Sequence, residues 1–342
     1  MYSKVEEYLK NRDIENVLEE CLRNSFYDLG FLLGGNNHLL SSRFRDNMKQ
    51  LEQYSKSVKE EVEIIEVLEE TKVKETKVKE TKLVKIKILC NWLTSEDVAK
   101  LWNKMSKGNY TWGTIQLVWG DEYDYIVVIN CPPINEFINL DKTILFRMEP
   151  KMEDYPKLWG DWASPNKQQF LKTFFHEDGH NNCEWHISKT YLQLINEPIK
   201  KNHELSKIVS TVLSGKYKDP GHIRRIDFVK FLDGKGFHID VFGSNKWYYE
   251  NYKGSLPYHC KDDALFPYKY TFNVENHSIK NYFTEKIVDG ILSECLVFYS
   301  GCFNLRDFLP RDSFVYLDLI DFEKDYELIK KAISENWWEK RL

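Results

Sequence analysis

The sequence predicts an α/β protein with two mainly parallel sheets and a helical N-terminal extension. Three observations carry that expectation. Strand and helix patterns alternate from Leu83 onward. Residues 268–301 read as a complete strand–loop–helix–strand unit. A mixed-charge repeat, Glu70-Thr71-Lys72-Val73-Lys74 followed by Glu75 to Lys79 and Glu80-Thr81-Lys82, divides these patterns from what precedes them. Alternating elements favour an open parallel sheet, because each crossover helix covers a sheet face.

Residues 1–82 form the extension. Val5, Leu9, Val17, Leu18, Cys21 and Leu22 have amphipathic-helix spacing, and Asn11 or Asp13 caps part of it. Gly34-Gly35-Asn36-Asn37 signals a turn, and the stretch from Phe44 to Leu68 is again helical in pattern. The repeat after it has too few apolar residues for a core and reads as a solvated linker. A continuing helical arm that joins copies of the chain is the alternative.

The first sheet domain spans about residues 83–203. Val84, Ile86 and Ile88 alternate with Lys85 and Lys87, as in a half-exposed, edge-like strand. Thr94-Ser95-Glu96-Asp97 caps a helix carrying Val98, Leu101, Trp102 and Met105. Asp124 to Ile129 is a strand ended by Asn130-Cys131-Pro132-Pro133, and Lys142 to Arg147 is another that runs into Met148-Glu149-Pro150.

The second domain spans residues 204–342. It opens with a strand at Lys207 to Ser214, a loop containing Pro220-Gly221, a helix from near Arg224 and a strand at His238 to Gly243. Tyr270, Phe272 and Val274 then alternate with polar residues and end at Glu275-Asn276-His277. Thr284-Glu285-Lys286 starts a helix, and Leu296 to Tyr299 is a buried strand stopped by Ser300-Gly301. Lys324 to Trp338 is a terminal helix that Trp337 and Trp338 pack onto the body. In such units the polar loop lies at a strand's carboxyl end, beside a helix N-terminus. Free N–H groups and the helix dipole there suit an anionic diphosphate.

Composition narrows the function. A chain of 342 residues holds two domains and an appendage, and 42% apolar with 15% aromatic residues is a folding composition. A net charge of −5 gives no electrostatic reason to bind nucleic acid. There is no apolar run of about 18 residues, and MYSKVEEYLKNRD lacks a signal peptide's apolar core. Seven scattered cysteines suit free thiols in a reducing compartment, so a cytoplasmic protein is expected. His176, His180, Cys183 and His186 are metal-ligand types, but their spacing matches no standard zinc pattern, and no metal is expected.

An ordered set of residues from about 205 to 332 points further. It comprises Arg225 with Phe228 and Leu232, then Lys269, Glu275-Asn276, Tyr282-Phe283-Thr284-Glu285-Lys286, Gly301, Ser313-Phe314-Val315 and Asp321-Phe322. This stretch resembles the α1,3/4-fucosyltransferases of glycosyltransferase family ten. The resemblance implies the B-type fold, two Rossmann-like domains facing a cleft. It also implies metal-independent, inverting transfer of fucose from GDP-fucose to a glycan hydroxyl. Val297 and Ser244 stand where the family has proline and arginine, which keeps another nucleotide-activated sugar open. A non-catalytic glycan-binding or scaffold protein is the other alternative.

Inverting transfer needs a carboxylate to take the acceptor's proton, and cations and amides for the departing phosphates. Glu149 is the candidate catalytic base: it follows a strand of the first domain, and Pro150 stiffens its turn. Glu153 and Asp154 are rivals, and a solvated loop carboxylate is the plain alternative. Arg225 is the candidate phosphate clamp, with Arg224 one register away. The resemblance assigns Glu285 to the nucleotide ribose and Lys286 to phosphate. Lysine is otherwise misplaced at a helix N-terminus, where the dipole favours acids. Lys269, Glu275, Asn276 and Tyr282 complete the donor-binding set.

Overall fold

The computed structural model describes residues 83–134, 136–150, 155–180 and 184–341. The N-terminal extension, with its helical and linker expectations, lies outside the described residues, as do Glu153, Asp154 and Cys183.

The first half contains β1 (Val84–Leu89), α1 (Ser95–Asn103), β2 (Thr111–Trp112), β3 (Ile115–Val118), β4 (Tyr125–Ile129), β5 (Thr143–Phe146), α2 (Tyr155–Trp159), β6 (Lys172–Phe174) and α3 (Tyr191–Asn196). Its sheet has the order β2-β3-β1-β4-β5-β6, parallel except for the β2–β3 pair. Thr94 caps α1 as expected, accepting the Asp97 N–H at 3.1 Å.

β1 is not an edge strand. It pairs with β3 on one side and β4 on the other, and Ile86, Ile88 and Leu89 are buried. Its alternating lysines imitate a solvent face because a lysine stem lies along apolar surface while its ammonium reaches outward. The Lys87 ammonium does so, 3.8 Å from both Asp121 and Glu136.

The second half contains β7 (Val209–Leu213), α4 (Pro220–Gly234), β8 (Ile239–Gly243), β9 (Tyr252–Gly254), α5 (Asp262–Leu265), β10 (Tyr270–Val274), α6 (Glu285–Leu292), β11 (Leu296–Ser300), β12 (Phe314–Tyr316), α7 (Phe322–Ser334) and α8 (Trp337–Arg341). Every strand pair is parallel, in the order β12-β11-β10-β7-β8-β9. The chain winds outward from β7 through β9, then returns to β10 and winds the other way. The order therefore reverses between β7 and β10, which opens a crevice at the carboxyl ends of those strands.

Two boundaries differ from expectation. α4 begins at Pro220, four residues before Arg224, because proline is pre-shaped for the first helical position and its missing N–H costs nothing there. The terminal helix divides into α7 and α8 around Asn336, whose φ is +55°. Trp338 does pack back on the body, its Nε1–H donating to the Glu294 carbonyl at 2.7 Å.

Close packing brings α4 to the crevice. A Cβ on Gly221 would stand 1.8 Å from the Glu275 carbonyl oxygen, so only glycine lets the helix N-terminus seat there. The Gly221 N–H donates to the Asn276 carbonyl at 2.9 Å. Val297, by contrast, is fully buried in β11 against α6, where a Cβ on Gly290 would meet its Cγ2 at 2.6 Å. The exchange of the family's proline for Val297 is thus a core difference.

Candidate active site

Arg225 lies at the β7/β10 reversal and is buried. Its Nη2 donates to Ser214 Oγ at 2.7 Å, just past β7, and its Nη1 to the Val274 carbonyl at 3.4 Å, at the end of β10. The same Nη1 lies 3.5 Å from Asn276 Oδ1. Burial lowers its pKa, and the nearby Glu275 carboxylate opposes that fall. Arg224 is exposed instead. It lines a cavity of about 240 Å³ with Gly221, Glu275, His277, Ser278 and Gly301. The two arginines therefore divide the neighbourhood, one inside the crevice and one on a pocket wall.

The helix after β10 supplies the next charges. Thr284 is the N-cap of α6, and the buried Glu275 carboxylate holds it, accepting the Thr284 N–H at 2.9 Å and its hydroxyl at 2.7 Å. The Lys286 ammonium sits 3.3 Å from Glu275, 3.4 Å from Glu285 and 3.0 Å from Thr284 Oγ1. Burial opposes its charge, but Glu285 and Glu275 outweigh burial and raise its pKa. Burial likewise pushes Glu285 up, but Lys286 and Lys261 hold it well below the usual carboxylate range. Lys261 is 3.3 Å from Glu285 and 2.6 Å from Asp289.

Glu149 meets this cluster from the first half. Asn130, at the end of β4 with φ +59°, accepts the backbone N–H of Met148 at 2.9 Å and of Glu149 at 3.2 Å. Asparagine tolerates that left-handed conformation, so the turn aims Glu149 across the cleft. Tyr282, fully buried, donates its hydroxyl to Glu149 Oε2 at 3.3 Å. Burial raises the Glu149 pKa, Lys286 pulls it down and Glu285 pushes it back up. A carboxyl poised above its ordinary range suits proton transfer near neutral pH.

His176 joins the same contact between halves. Its ring stands edge-on to Tyr282, 5.1 Å between centroids, and its Nε2 lies 3.1 Å from the Met148 carbonyl. Asn281 donates to the His176 carbonyl at 2.8 Å, and Asn304 donates to Asn281 Oδ1 at 2.9 Å.

The structure thus gathers Glu149, Arg225, Glu275, Asn276, Tyr282, Glu285 and Lys286. It does not bring Lys269. That residue precedes β10 and sits at the strand's opposite, amino end, 2.5 Å from Glu339 and over the Trp338 ring at 4.4 Å. A strand of this length separates its two ends by about 17 Å, too far for a shared phosphate. Two of the gathered residues also serve the structure itself. Glu275 holds the α6 cap and also lines the pocket beside Arg224. Tyr282 is an internal brace for Glu149, because its ring is enclosed. Asn130 had no motif to mark it, and His176 stood out only as one of the histidine-rich stretch. Their signals, a turn asparagine before Pro132-Pro133 and a histidine after an apolar strand, are common in any sequence. The histidine-rich stretch disperses: His180 packs edge-on to Phe174 at 4.9 Å, while His186 lies elsewhere.

Residues 199–334 match the family model described as Glycosyltransferase family 10 (fucosyltransferase) C-term. Among solved structures, the chain is similar to an alpha-glucosyltransferase in complex with UDP and a 13-mer DNA, with 11% identity, 76% of this chain and 92% of that chain covered, and a TM-score of 0.50. It is also similar to an alpha1,3-fucosyltransferase with GDP, with 17% identity, 79% and 84% covered, and a TM-score of 0.49. No curated protein matches the chain. The two facing parallel sheets and the charged crevice between them define a glycosyltransferase of the B-type fold. Within it, the stretch that matches the family 10 model runs from before β7 to the end of α7, across the second sheet.

Proposed function

We propose that the protein is an inverting fucosyltransferase that moves fucose from GDP-fucose to a glycan hydroxyl, forming an α1,3- or α1,4-type linkage. The observation that carries this reading is Glu149. A first-half carboxylate crosses the cleft to meet Tyr282, beside the Lys286 cluster where the family motif puts the donor phosphates. In this reading Glu149 takes the proton of the attacking hydroxyl as the oxygen bonds to the anomeric carbon. The bond to the diphosphate breaks, and its charge falls on Lys286, Arg225 and the amides at the start of α6, with no divalent ion required at the phosphates. Asn276 and Glu285 border the same place and suit the donor's hydroxyls. Residues 83–203 take the acceptor and 204–342 the donor.

The test pairs turnover with donor affinity. Glu149→Gln should lose about 100-fold or more in turnover, the general-base range, while GDP affinity by calorimetry stays as in the wild type. An active variant would remove Glu149 from the mechanism. Thermal-shift measurements with GDP-fucose, UDP-sugars and dTDP-sugars check the donor. Stabilisation by a UDP-sugar or dTDP-sugar alone would overturn GDP-fucose and keep the transfer chemistry.

A further inference from the structure

A second cluster of reactive side chains lies where the two halves meet, apart from Glu149. Glu184 and His186 come from the segment between β6 and α3, and His259 from the loop between β9 and α5. One carboxylate oxygen and one nitrogen from each imidazole all lie within 4.8 Å of one another. Glu184 Oε1 is 2.8 Å from His186 Nε2. The two imidazole rings are nearly perpendicular, 84°, with centroids 4.0 Å apart. Among the described residues His259 Nε2 is buried without a hydrogen-bond partner, an arrangement that costs free energy unless another group satisfies it.

The surroundings hold Glu184 and His186 in place. Trp102, from α1, donates its Nε1–H to Glu184 Oε2 at 2.9 Å, leaving Oε1 turned to the histidines. Asp289, from α6, accepts the His186 backbone N–H at 2.6 Å, and the His186 carbonyl accepts the Lys261 N–H at 2.7 Å. A hydrogen-bonded carboxylate and a fixed histidine backbone are outer support of the kind metal ligands need.

We propose that Glu184, His186 and His259 bind one divalent transition-metal ion of the zinc class, with water completing a tetrahedral shell. Two imidazoles and one carboxylate are a borderline-soft donor set, suited to zinc rather than to magnesium or calcium. The ion touches no reacting atom. It ties the β9–α5 loop of the second half to the segment that leaves the first sheet. Lys261, two residues after His259, reaches Glu285 and Asp289, so the ion also steadies the loop behind the donor cluster.

The experiment uses the full-length protein, stripped with a chelator and titrated with zinc chloride by calorimetry, with cobalt(II) as a spectroscopic probe. The expected result is about one zinc per chain, a tetrahedral cobalt spectrum and a raised Tm. His259→Gln and Glu184→Gln should bind zinc at least 10- to 100-fold more weakly, the range already seen for loss of outer-shell support alone. Trp102→Phe keeps all three ligands and should weaken zinc by about tenfold, which guards against a ligand variant that fails to fold. Zinc affinity unchanged in His259→Gln and Trp102→Phe, or no zinc bound by the wild type, would overturn the site. GDP titration of the same stripped protein is read separately, so loss of the zinc site leaves the donor reading untouched.

Discussion

The two carboxyl edges that face each other are built on different plans. The second sheet's edge is a closed network: Glu275, Glu285, Lys286, Lys261 and Asp289 pair with one another within a few ångströms, and Arg225 is held beside them by Ser214 and the Val274 carbonyl. Among the described residues, the first sheet's edge offers Glu149, carried on the Asn130 turn and touched by one hydroxyl from the other side. The network anchors a ligand through many small terms, none decisive alone. The lone carboxylate carries the one act proposed for it. Affinity should therefore be distributed over one edge and turnover concentrated on the other.

The strongest challenge to that division is Glu149→Gln, with its expected turnover loss of about 100-fold or more at constant GDP affinity. A parallel fall in both quantities would show that the two edges share their work. Next in size, Lys286→Ala should weaken GDP binding by about 1.5–3 kcal/mol, the value of a hydrogen bond to a charged group. Calorimetry returning wild-type affinity would take Lys286 out of the phosphate site.

Smaller and sharper is the pH dependence. Because burial raises the Glu149 pKa, the acid limb of kcat/KM should lie above the ordinary carboxylate range, with activity rising as pH increases through it. Tyr282 donates to the charged form and so lowers that pKa. Tyr282→Phe should move the limb to higher pH and leave GDP affinity alone. A limb that stays in place would mean that the hydroxyl contact is idle. Smallest of all, Lys269→Ala should change stability by no more than about 1 kcal/mol, since its partner Glu339 is substantially exposed. GDP binding should not respond, and a clear loss of affinity would contradict its place at the far end of β10.

What could be read from the sequence follows the same division. Tyr282 to Lys286 are contiguous, and their motif is inseparable from a helix start, so the Thr284 cap and its charges were legible together. Glu149 was legible only as an acid after a strand. Its partner Tyr282 is distant along the chain, and no local pattern encodes that approach. Lys269 misled because a motif preserves order but not direction: a lysine before a strand and a glutamate after it sit at opposite ends. β1 misled for a different reason, since a lysine stem can be buried while its charge stays wet. The cluster of Glu184, His186 and His259 was invisible for want of His259, which only the fold brings near.

Gly221 has a mechanical consequence. With no side chain between the start of α4 and the end of β10, the two elements meet backbone to backbone and behave as one casting rather than as parts joined by flexible pins. Arg225, one turn further along α4, starts from that fixed backbone, and Ser214 and the Val274 carbonyl hold its guanidinium. A nucleotide docking there finds its cation already machined into position and surrenders little conformational freedom on arrival. Any travel needed to admit an acceptor then falls to the opposite jaw, which carries Glu149.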